Sequence, residues 1–418
     1  MQVMKKKSLK KHKETLLSII ETETMLHSIS DVDILLEQIL TESRKVVQAD
    51  AGSIYIAEDN QLFIHYAQND TLQKNLPKGK KLPFVFFNFP INESTIAGYV
   101  ASTKKAINEP DVYNIDPEKP YKFGKGSDET AKYRTVSILT IPLLAVSGRV
   151  LGVLQVLNAK DKKGNIRAFS TEDETYLNRF ATNAGVALER AYLTRSMIMR
   201  MNKMAELRDP LETGMHVNRV ANYSVEIYDR WAFLHNIPED ERNQYRDKLK
   251  IAALLHDVGK IAVSDAILKK NGKLSEEEYA QMQTHTWLGA KLFNPIETEI
   301  DKLSQDIALR HHENWNGSGY PGHICIETGK VLKTNPTTGK AQGLIGEEIP
   351  LGGRIVALAD VYDALSSKRS YKEPWKEEDI LALIKKERGL KFDPALVDAF
   401  FDVHSHILAI KARFVDVE

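Results

Sequence analysis

The chain has 418 residues, of which 42% are hydrophobic and 27% are charged, which is enough for more than one globular domain. Its 57 lysine and arginine residues equal its 57 acidic residues, so the composition excludes binding to DNA or membrane surfaces through bulk charge. Cys325 is the one cysteine, which excludes an internal disulfide and a cysteine-rich zinc site. No apolar run approaches the roughly 20 residues that span a bilayer, and no signal peptide follows the basic start, so we expect a cytoplasmic protein.

The first half of the chain changes from helical to strand periodicity. Two helices and then two β-hairpins are predicted, at residues 14–25, 31–47, 53–67 and 137–159. Asp31 or Ser30 is placed to cap the second helix, and Ser147-Gly148 marks the turn of the second hairpin. This pattern indicates helices that flank an antiparallel sheet.

A long helix is predicted from Ser170, where Ser170 and Thr171 precede Asp173 and Glu174 as in a capping box. No proline or glycine interrupts residues 186–209. Small or apolar residues follow near-heptad spacing at Ala187, Ala191, Thr194, Ile198, Met201 and Ala205. We therefore expect a rigid helix that joins two domains. The seam fits half of a parallel dimer and, with equal weight, a helix packed on its own domain.

Beyond Pro210 the pattern is helical, apart from a segment rich in glycine, proline and threonine at residues 317–353. Within it, residues 323–343 are too long for an ordinary connection, and structured loops of this length are usually functional. We find no internal repeat in the sequence.

Histidines and carboxylates are concentrated in these helices. A lone residue of this kind, such as His285, is more often structural than a ligand, and Glu212 and His216 at i and i+4 could be a surface pair. Taken together, however, mixed imidazole and carboxylate groups in apolar helices favour a site for iron, manganese or a similar divalent ion. The candidates are Glu212, His216, His256, Asp257, His285, His311, His312 and Asp360.

The motifs ETGMH, HDVGK, HHENWNGSGYP and ADVYDAL, in this order, resemble the HD-GYP subfamily of HD-domain phosphohydrolases over about residues 200–418. The resemblance implies an all-α domain that cleaves cyclic di-GMP to a linear dinucleotide or to GMP. It assigns all eight candidates to two or three divalent ions, with Asp257 bridging them and Glu212 serving a third ion. Iron is favoured, and manganese or magnesium also suits the ligands.

The same resemblance marks Lys260 as catalytic, and Arg369, Lys372 and Tyr320 as contacts to the substrate. Paired ions in such a site activate a water for in-line attack on phosphorus. Without the resemblance, the alternative is that the basic run SSKRSYK is a solvated turn.

Two features depart from the usual pattern of this subfamily. Asn316 stands where an aspartate is common, and residues 323–343 are inserted before GEEIP. Asn316 lies outside the implied ligands, so we expect it to leave metal binding intact. The insertion bears on substrate choice, and a mixed guanine–adenine cyclic dinucleotide is therefore an alternative substrate.

Residues 30–195 resemble a GAF domain, a sensory module for small molecules, through the strand pair at 137–159 and the helix that follows. Five residues match the signature of cyclic-nucleotide-binding members: Asn158, Lys160, Phe169, Asp173 and Glu174. The match is imperfect because Ala159 lies between Asn158 and Lys160. The alternative is that Asp173 and Glu174 only cap the helix.

The expected architecture is multidomain. A basic helical segment at 1–29 precedes an α+β GAF domain at 30–195, and a long helix leads into an all-α HD-GYP domain at 196–418. We expect a homodimer that hydrolyses cyclic di-GMP under control of a GAF ligand. A catalytically silent cyclic di-GMP receptor and an HD hydrolase of another nucleotide are the alternatives.

Overall fold

The computed structural model describes residues 24–75, 87–206, 214–270, 272–367 and 374–414. The described residues divide into two compact units, with the boundary between Thr194 and Arg195. The predicted helix at 14–25 lies largely outside the described residues, and residues 24–28 are helical. No described helix has the length and hydropathy needed to cross a membrane.

The first unit is built on one antiparallel sheet. Its strands are β1 (Ala49–Glu58), β2 (Gln61–Asn69), β3 (Asn88–Pro90), β4 (Ile107–Glu109), β5 (Ile138–Leu144), β6 (Val150–Lys160) and β7 (Ile166–Arg167). Their order is β3-β2-β1-β6-β5-β4, and β7 pairs with β6. In the centre of the sheet Ile54 lies opposite Leu154. The two predicted hairpins are thus β1–β2 and β5–β6.

The helices of this unit are α1 (Val32–Val47), α2 (Asp70–Gln73), α3 (Ile96–Thr103), α4 (Gly126–Ala131) and the start of α5 (Thr171–Glu206). The side chain of Asp31 caps α1 by accepting from two backbone N–H groups. Ser170 and Asp173 form the predicted capping pair of α5. The main core lies where α1 and α5 cover the sheet, and Leu36, Leu154 and Phe180 are fully buried there.

The second unit is helical. Its helices are α6 (Gly214–Leu234), α7 (Glu239–Ala253), α8 (Asp265–Leu268), α9 (Glu276–Gln283), α10 (His285–Lys291), α11 (Glu299–Arg310), α12 (Leu351–Ser366), α13 (Glu377–Lys386) and α14 (Pro394–Arg413), with short 3-10 helices at Val258–Ala262 and Gly346–Glu348. Its largest core contains Tyr223, Tyr362 and Phe400. The expected fold, an antiparallel sheet with helices followed by a helical region, is confirmed.

The seam predicted along α5 is partly buried within the chain. Ala187 and Ala191 are fully buried in the core of the first unit, and Ile198 is buried in that of the second. The exposed apolar residues of α5 include Leu193, Met197 and Met204, and also Met201 of the predicted seam, which is 43% exposed. Three residues of the predicted seam, Ala187, Ala191 and Ile198, are therefore packed within the chain.

Candidate metal centre

Four buried histidines of the second unit come from separate segments. His216 lies in the first turn of α6, His256 follows the end of α7, His285 begins α10 and His311 ends α11. All four are at most 5% exposed. Neighbouring rings are separated by 5.6 Å for His216–His256, 5.3 Å for His256–His311 and 5.6 Å for His285–His311, measured between centroids. Segments far apart in sequence thus bring their imidazoles together.

Asp257 lies at the centre of this group. Its Oδ1 is 3.2 Å from Nε2 of His285 and 3.4 Å from Nε2 of His311, while its Oδ2 is 3.4 Å from Nε2 of His256. Two sets of candidate ligand atoms lie within 4.8 Å of one another: one is Asp257, His285, His311 and His312, and the other is His216, His256 and Asp257. Asp257 belongs to both sets.

The other ring nitrogen of each buried histidine is held by an acceptor. Nδ1 lies 2.9 Å from the Ala253 carbonyl in His256, 2.7 Å from that of Met282 in His285 and 3.0 Å from that of Ile307 in His311. A nitrogen next to a carbonyl must carry the proton, so in the neutral ring the Nε2 lone pair points toward Asp257. The backbone therefore fixes the tautomer that can bind a metal.

The protonation of the histidines supports this geometry. Burial lowers the pKa of His311, and burial together with the neighbouring imidazoles holds the pKa of His312 well below its usual value. Both rings are therefore neutral at pH 7. The buried Nε2 atoms of His285 and His311 have no hydrogen-bond partner among the described residues.

Lone pairs that face a carboxylate repel it unless a cation lies between them. Neutral imidazoles combined with a carboxylate are ligands that suit divalent transition metals. The residues present therefore fit the ions that the sequence motifs imply.

His216 is oriented by a residue that the sequence analysis did not single out. Asp363 Oδ2 lies 2.8 Å from Nδ1 of His216, and the guanidinium of Arg219 lies 2.6 Å from Asp363 Oδ1. Nε2 of His216 is consequently turned toward Asp360, whose Oδ1 is 3.6 Å away. Burial alone would raise the pKa of Asp363, but His216 and Arg219 lower it, so the carboxylate is ionised. The signal in the sequence was the spacing of Asp360 and Asp363, one helical turn apart on α12.

Lys260 and Tyr320 also lie beside this group. Lys260 Nζ is 2.8 Å from Asp257 Oδ2. The Tyr320 ring stacks on His312 with centroids 4.7 Å apart and an interplanar angle of 27°. The structure thus places both predicted residues at the edge of the histidine cluster.

A close approach of two backbones brings His285 to Asp257. A Cβ atom built on Gly259 would lie 1.9 Å from the His285 carbonyl oxygen and 2.5 Å from the backbone nitrogen of Gly289. No side chain fits at that distance. The glycine of HDVGK therefore serves the packing of the 3-10 helix against α10.

The insertion at 323–343 contains two consecutive hairpins with the same hydrogen bonds. In the first, Cys325 N donates to Lys330 O and Gly329 N to Cys325 O; in the second, Asn335 N donates to Lys340 O and Gly339 N to Asn335 O. Gly329 and Gly339 both have positive φ, at 67° and 70°. The two turns have similar sequences, CIETGK and NPTTGK, in which Thr, Gly and Lys recur.

Glu313 fastens the two ends of the insertion. One of its carboxylate oxygens accepts the Gly322 N–H at 2.8 Å, and the other accepts the Leu344 N–H at 3.3 Å. Arg310 donates to the same carboxylate at 3.0 Å and to the Gly322 carbonyl at 2.7 Å. Ile324 of the insertion packs beside Trp287 and Leu309. The insertion is therefore attached to α10, α11 and the loop that carries Tyr320.

Three predicted residues, Glu212, Arg369 and Lys372, lie outside the described residues. Asn316, the departure from the usual motif, pairs its backbone N–H with the Leu390 carbonyl, and its side chain accepts from Ser318. It is thus engaged in holding the loop.

The GAF signature residues have separate structural partners in the first unit. Lys160 pairs with Asp50, Asp173 pairs with Arg167 at 2.6 Å, and Asn158 accepts from the Val136 N–H at 2.7 Å. Phe169 is buried in the core, and Glu174 accepts from Asn108 at 3.2 Å. The structure does not gather these five side chains around one ligand position.

A cleft of about 400 Å³ lies at one end of this unit. Four cationic side chains line it, against two carboxylates. These residues are Arg44, Lys45, Lys74 and Lys160, with Asp50 and Asp70. Lys160 is the only signature residue that reaches it.

Comparisons with known proteins match each unit separately. The HD domain model matches residues 213–365, and the GAF domain model matches residues 31–188. Among solved structures, the GAF domain of a phosphoenolpyruvate-protein phosphotransferase from Coxiella burnetii is 18% identical, covers 44% of this chain and 96% of its own, and has a TM-score of 0.33.

Curated relatives match between 40% and 66% of this chain. A 3′3′-cGAMP-specific phosphodiesterase 2 of Vibrio cholerae is 36% identical and covers 58% of this chain and 42% of its own. A cyclic di-GMP phosphodiesterase of the same organism is 34% identical and covers 66% and 51%. The cyclic di-GMP phosphodiesterase response regulator RpfG of Xanthomonas campestris is 41% identical and covers 40% and 39%. The chain spans about half or less of the length of these relatives.

Proposed function

We propose that this chain, which carries a GAF domain followed by an HD domain, is a metal-dependent phosphodiesterase that hydrolyses cyclic di-GMP to a linear dinucleotide or to GMP. The relatives named above are phosphodiesterases of cyclic di-GMP or of 3′3′-cGAMP. We place the sensory domain at residues 30–195 and the hydrolase domain at 196–418.

The observation that carries this proposal is the position of Asp257, shared by two sets of candidate ligands. His256, His285 and His311 present Nε2 to it from three sides. A bridging carboxylate with imidazoles on either side is the donor arrangement of a two-metal hydrolytic site. His216, His312 and Asp360 complete the described ligands, and Glu212 is our candidate ligand of a third ion.

The bound ions would supply a Lewis acid and an activated water for attack on phosphorus. The chain's own residues hold and neutralise the substrate. Lys260, with its charge beside Asp257, stabilises the negative charge that develops on the phosphoryl oxygens. Tyr320, stacked on His312, offers an aromatic face to a base of the substrate. Arg369 and Lys372 are our candidates for contacts to the substrate phosphates.

Iron is our preferred metal because mixed imidazole and carboxylate ligands suit it, and manganese and magnesium are the alternatives. Anaerobic purification followed by metal analysis and turnover on the same sample distinguishes them.

Replacement of Asp257 by alanine tests the function. We expect the variant to lose both bound metal and hydrolysis of cyclic di-GMP, followed by chromatography of the products. Asp265→Asn is the matched control, because that carboxylate is 53% exposed and pairs with Lys269 away from the histidines. Hydrolysis retained in Asp257→Ala protein of measured metal content would refute the assignment.

A mixed guanine–adenine cyclic dinucleotide is the second candidate substrate, favoured by the cGAMP phosphodiesterases among the relatives. Ratios of kcat/KM for the two substrates decide between them. A silent receptor would bind cyclic di-GMP without hydrolysis, and the described ligand positions, which are all filled by histidine or aspartate, argue against it.

We also propose that the GAF domain binds an anionic small molecule in the 400 Å³ cleft, where cationic side chains outnumber carboxylates. A rise of the melting temperature with cyclic AMP or cyclic GMP, lost in Lys74→Glu, would support it.

Homodimerisation is proposed through the exposed face of α5, where Leu193, Met197 and Met204 are 57%, 63% and 54% exposed. Light scattering of the full chain measures its oligomeric state.

A further inference from the structure

The last part of α5 reaches the backbone of the metal centre. Within the second unit, Asn202 is 9% exposed and its Nδ2 donates to the Leu254 carbonyl at 2.9 Å. Leu254 lies two residues before His256. Asn202 is thus a polar side chain that the structure buries against the stretch carrying the central histidine and aspartate.

This hydrogen bond shapes the end of α7. The helix stops at Ala253, and the carbonyls of its last turn need other partners. The Ala253 carbonyl accepts from the His256 ring, and the N–H of Val258 goes to Leu255. Asn202 supplies the donor for the Leu254 carbonyl between them. The turn that aims His256 and Asp257 is therefore partly held by a side chain of α5.

The same part of α5 also contacts the segment that carries His216. Arg195 Nη2 lies 3.3 Å from Asn218 Oδ1, and Asn218 Nδ2 lies 3.8 Å from Met199 Sδ. Asn218 follows His216 by two residues on α6 and donates to the Gly214 carbonyl at 2.6 Å. Residues 195–202 therefore touch the chain close to both members of the His216–His256 pair.

We infer that Asn202 is a positioning residue for His256 and Asp257, and that α5 passes changes in the GAF domain to the metal centre through it. The helix is continuous from Thr171 to Glu206, so residues of the sensory domain and Asn202 lie on one helix. Rotation of α5 by one residue, about 100°, would carry Nδ2 away from the Leu254 carbonyl. The proposal rests on the proposed function for its activity readout, but not for its metal-binding readout.

The test uses the full chain with Asn202→Asp, which removes the donor, and Asn202→Leu, which removes the polar group at similar volume. Asn178→Asp is the matched control on the same helix, since Asn178 donates only to the carbonyl of Glu174 within α5. We expect both Asn202 variants to bind Mn²⁺ about 10- to 100-fold more weakly in calorimetry of the apo-protein. Their kcat for cyclic di-GMP should fall while KM stays unchanged.

A second measurement requires no variant. Because coupling between sites is reciprocal, Mn²⁺ binding to the wild-type chain should slow amide hydrogen exchange at residues 199–206 and also change it at residues 178–190, where the same helix packs in the GAF domain. Wild-type Mn²⁺ affinity in both Asn202 variants, or exchange at 199–206 that ignores Mn²⁺, would overturn the inference. A wild-type chain that binds Mn²⁺ but hydrolyses nothing would instead refute the proposed function, and the two metal-binding readouts would still decide the role of Asn202.

Discussion

Asp363 and His216 form a buried pair in which the carboxylate lies 2.8 Å from Nδ1 of the ring. Arg219, 3% exposed, binds the same carboxylate and also donates to the Phe414 carbonyl at 2.9 Å. The orientation of one candidate metal ligand is thus tied to the end of α14.

Replacement of Asp363 by asparagine keeps the shape but removes the charge between His216 and Arg219. We expect metal affinity to fall about 10- to 100-fold, because the ring loses its orientation. The free energy of unfolding should fall by about 3–5 kcal/mol, because Arg219 loses its buried ion pair with the Asp363 carboxylate. Metal titration and urea denaturation measure the two effects.

Asp402→Asn is the control for this variant, since it breaks an Asp–Arg pair with Arg230 whose side chains are 46% and 28% exposed. The free energy of unfolding of this control should fall by less than about 1 kcal/mol. Equal losses in the two variants would contradict the special role of Asp363.

Replacement of Lys260 tests catalysis separately from metal binding. Its ammonium group contacts Asp257 but has no lone pair to offer a metal while protonated. Lys260→Ala should therefore keep its metal and lose about 100- to 1,000-fold in kcat, as expected for removal of one transition-state contact. Lys269→Ala, a change at a side chain that is 48% exposed, is the control. A Lys260→Ala enzyme with wild-type kcat would remove this lysine from the mechanism.

The insertion can be excised without opening the loop, because His323 N already donates to the Gln342 carbonyl at 2.8 Å. Replacement of residues 324–341 by Asn-Gly closes a short hairpin at that pair. We expect metal content to be retained and the ratio of kcat/KM between cyclic di-GMP and the mixed dinucleotide to change, since Glu313 couples the insertion to the Tyr320 loop. Chromatographic assays give the ratio, and an unchanged value would exclude the insertion from substrate choice.

Asp50 makes the stability of the GAF domain depend on pH. Burial alone would raise its pKa, but hydrogen bonds from Lys160, Thr71 and Tyr133 lower it below its usual value. A carboxylate whose pKa is depressed by folding stabilises the native state above its unfolded pKa of about 3.9, and this contribution is lost as the pH falls through the folded value.

We therefore expect Asp50→Asn to lower the free energy of unfolding at pH 6 and to flatten its decline between pH 5 and pH 3. Urea denaturation followed by circular dichroism at several pH values measures both. Asp59→Asn, at an exposed turn, is the control variant for the same measurement. An Asp50→Asn profile parallel to that of the wild type would show that the network does not titrate.

Much of the fold was accessible from the sequence because its signals are local. The hairpins β1–β2 and β5–β6 follow from alternating runs and turn residues, and the cap of α5 at Ser170 follows from two neighbouring side chains. The candidate ligands could be predicted for another reason. Burying histidine and aspartate within apolar helices costs free energy unless a bonding partner or a metal ion compensates them.

The partners of these ligands were not accessible. Asp363 looks like any helical carboxylate until α6 brings His216 to it, and Glu313 gains its role only when Gly322 and Leu344 meet. Asn202 likewise depends on a contact across 52 residues of chain. Such hydrogen bonds depend on tertiary structure, which sequence periodicity does not encode. The similarity of the two turns in the insertion was not predicted, because only Thr, Gly and Lys recur in the sequence. It is visible in the backbone hydrogen bonds of each turn.

The contact between Gly259 and α10 sets a limit on how this centre can be altered. Even one added methyl group would meet the His285 carbonyl at 1.9 Å, so the two segments would have to separate. His285 and Asp257 would then lie too far apart to serve one ion. The metal preference of this centre can be changed by exchanging its imidazoles and carboxylates. The distance between the 3-10 helix and α10, however, depends on Gly259 having no Cβ atom.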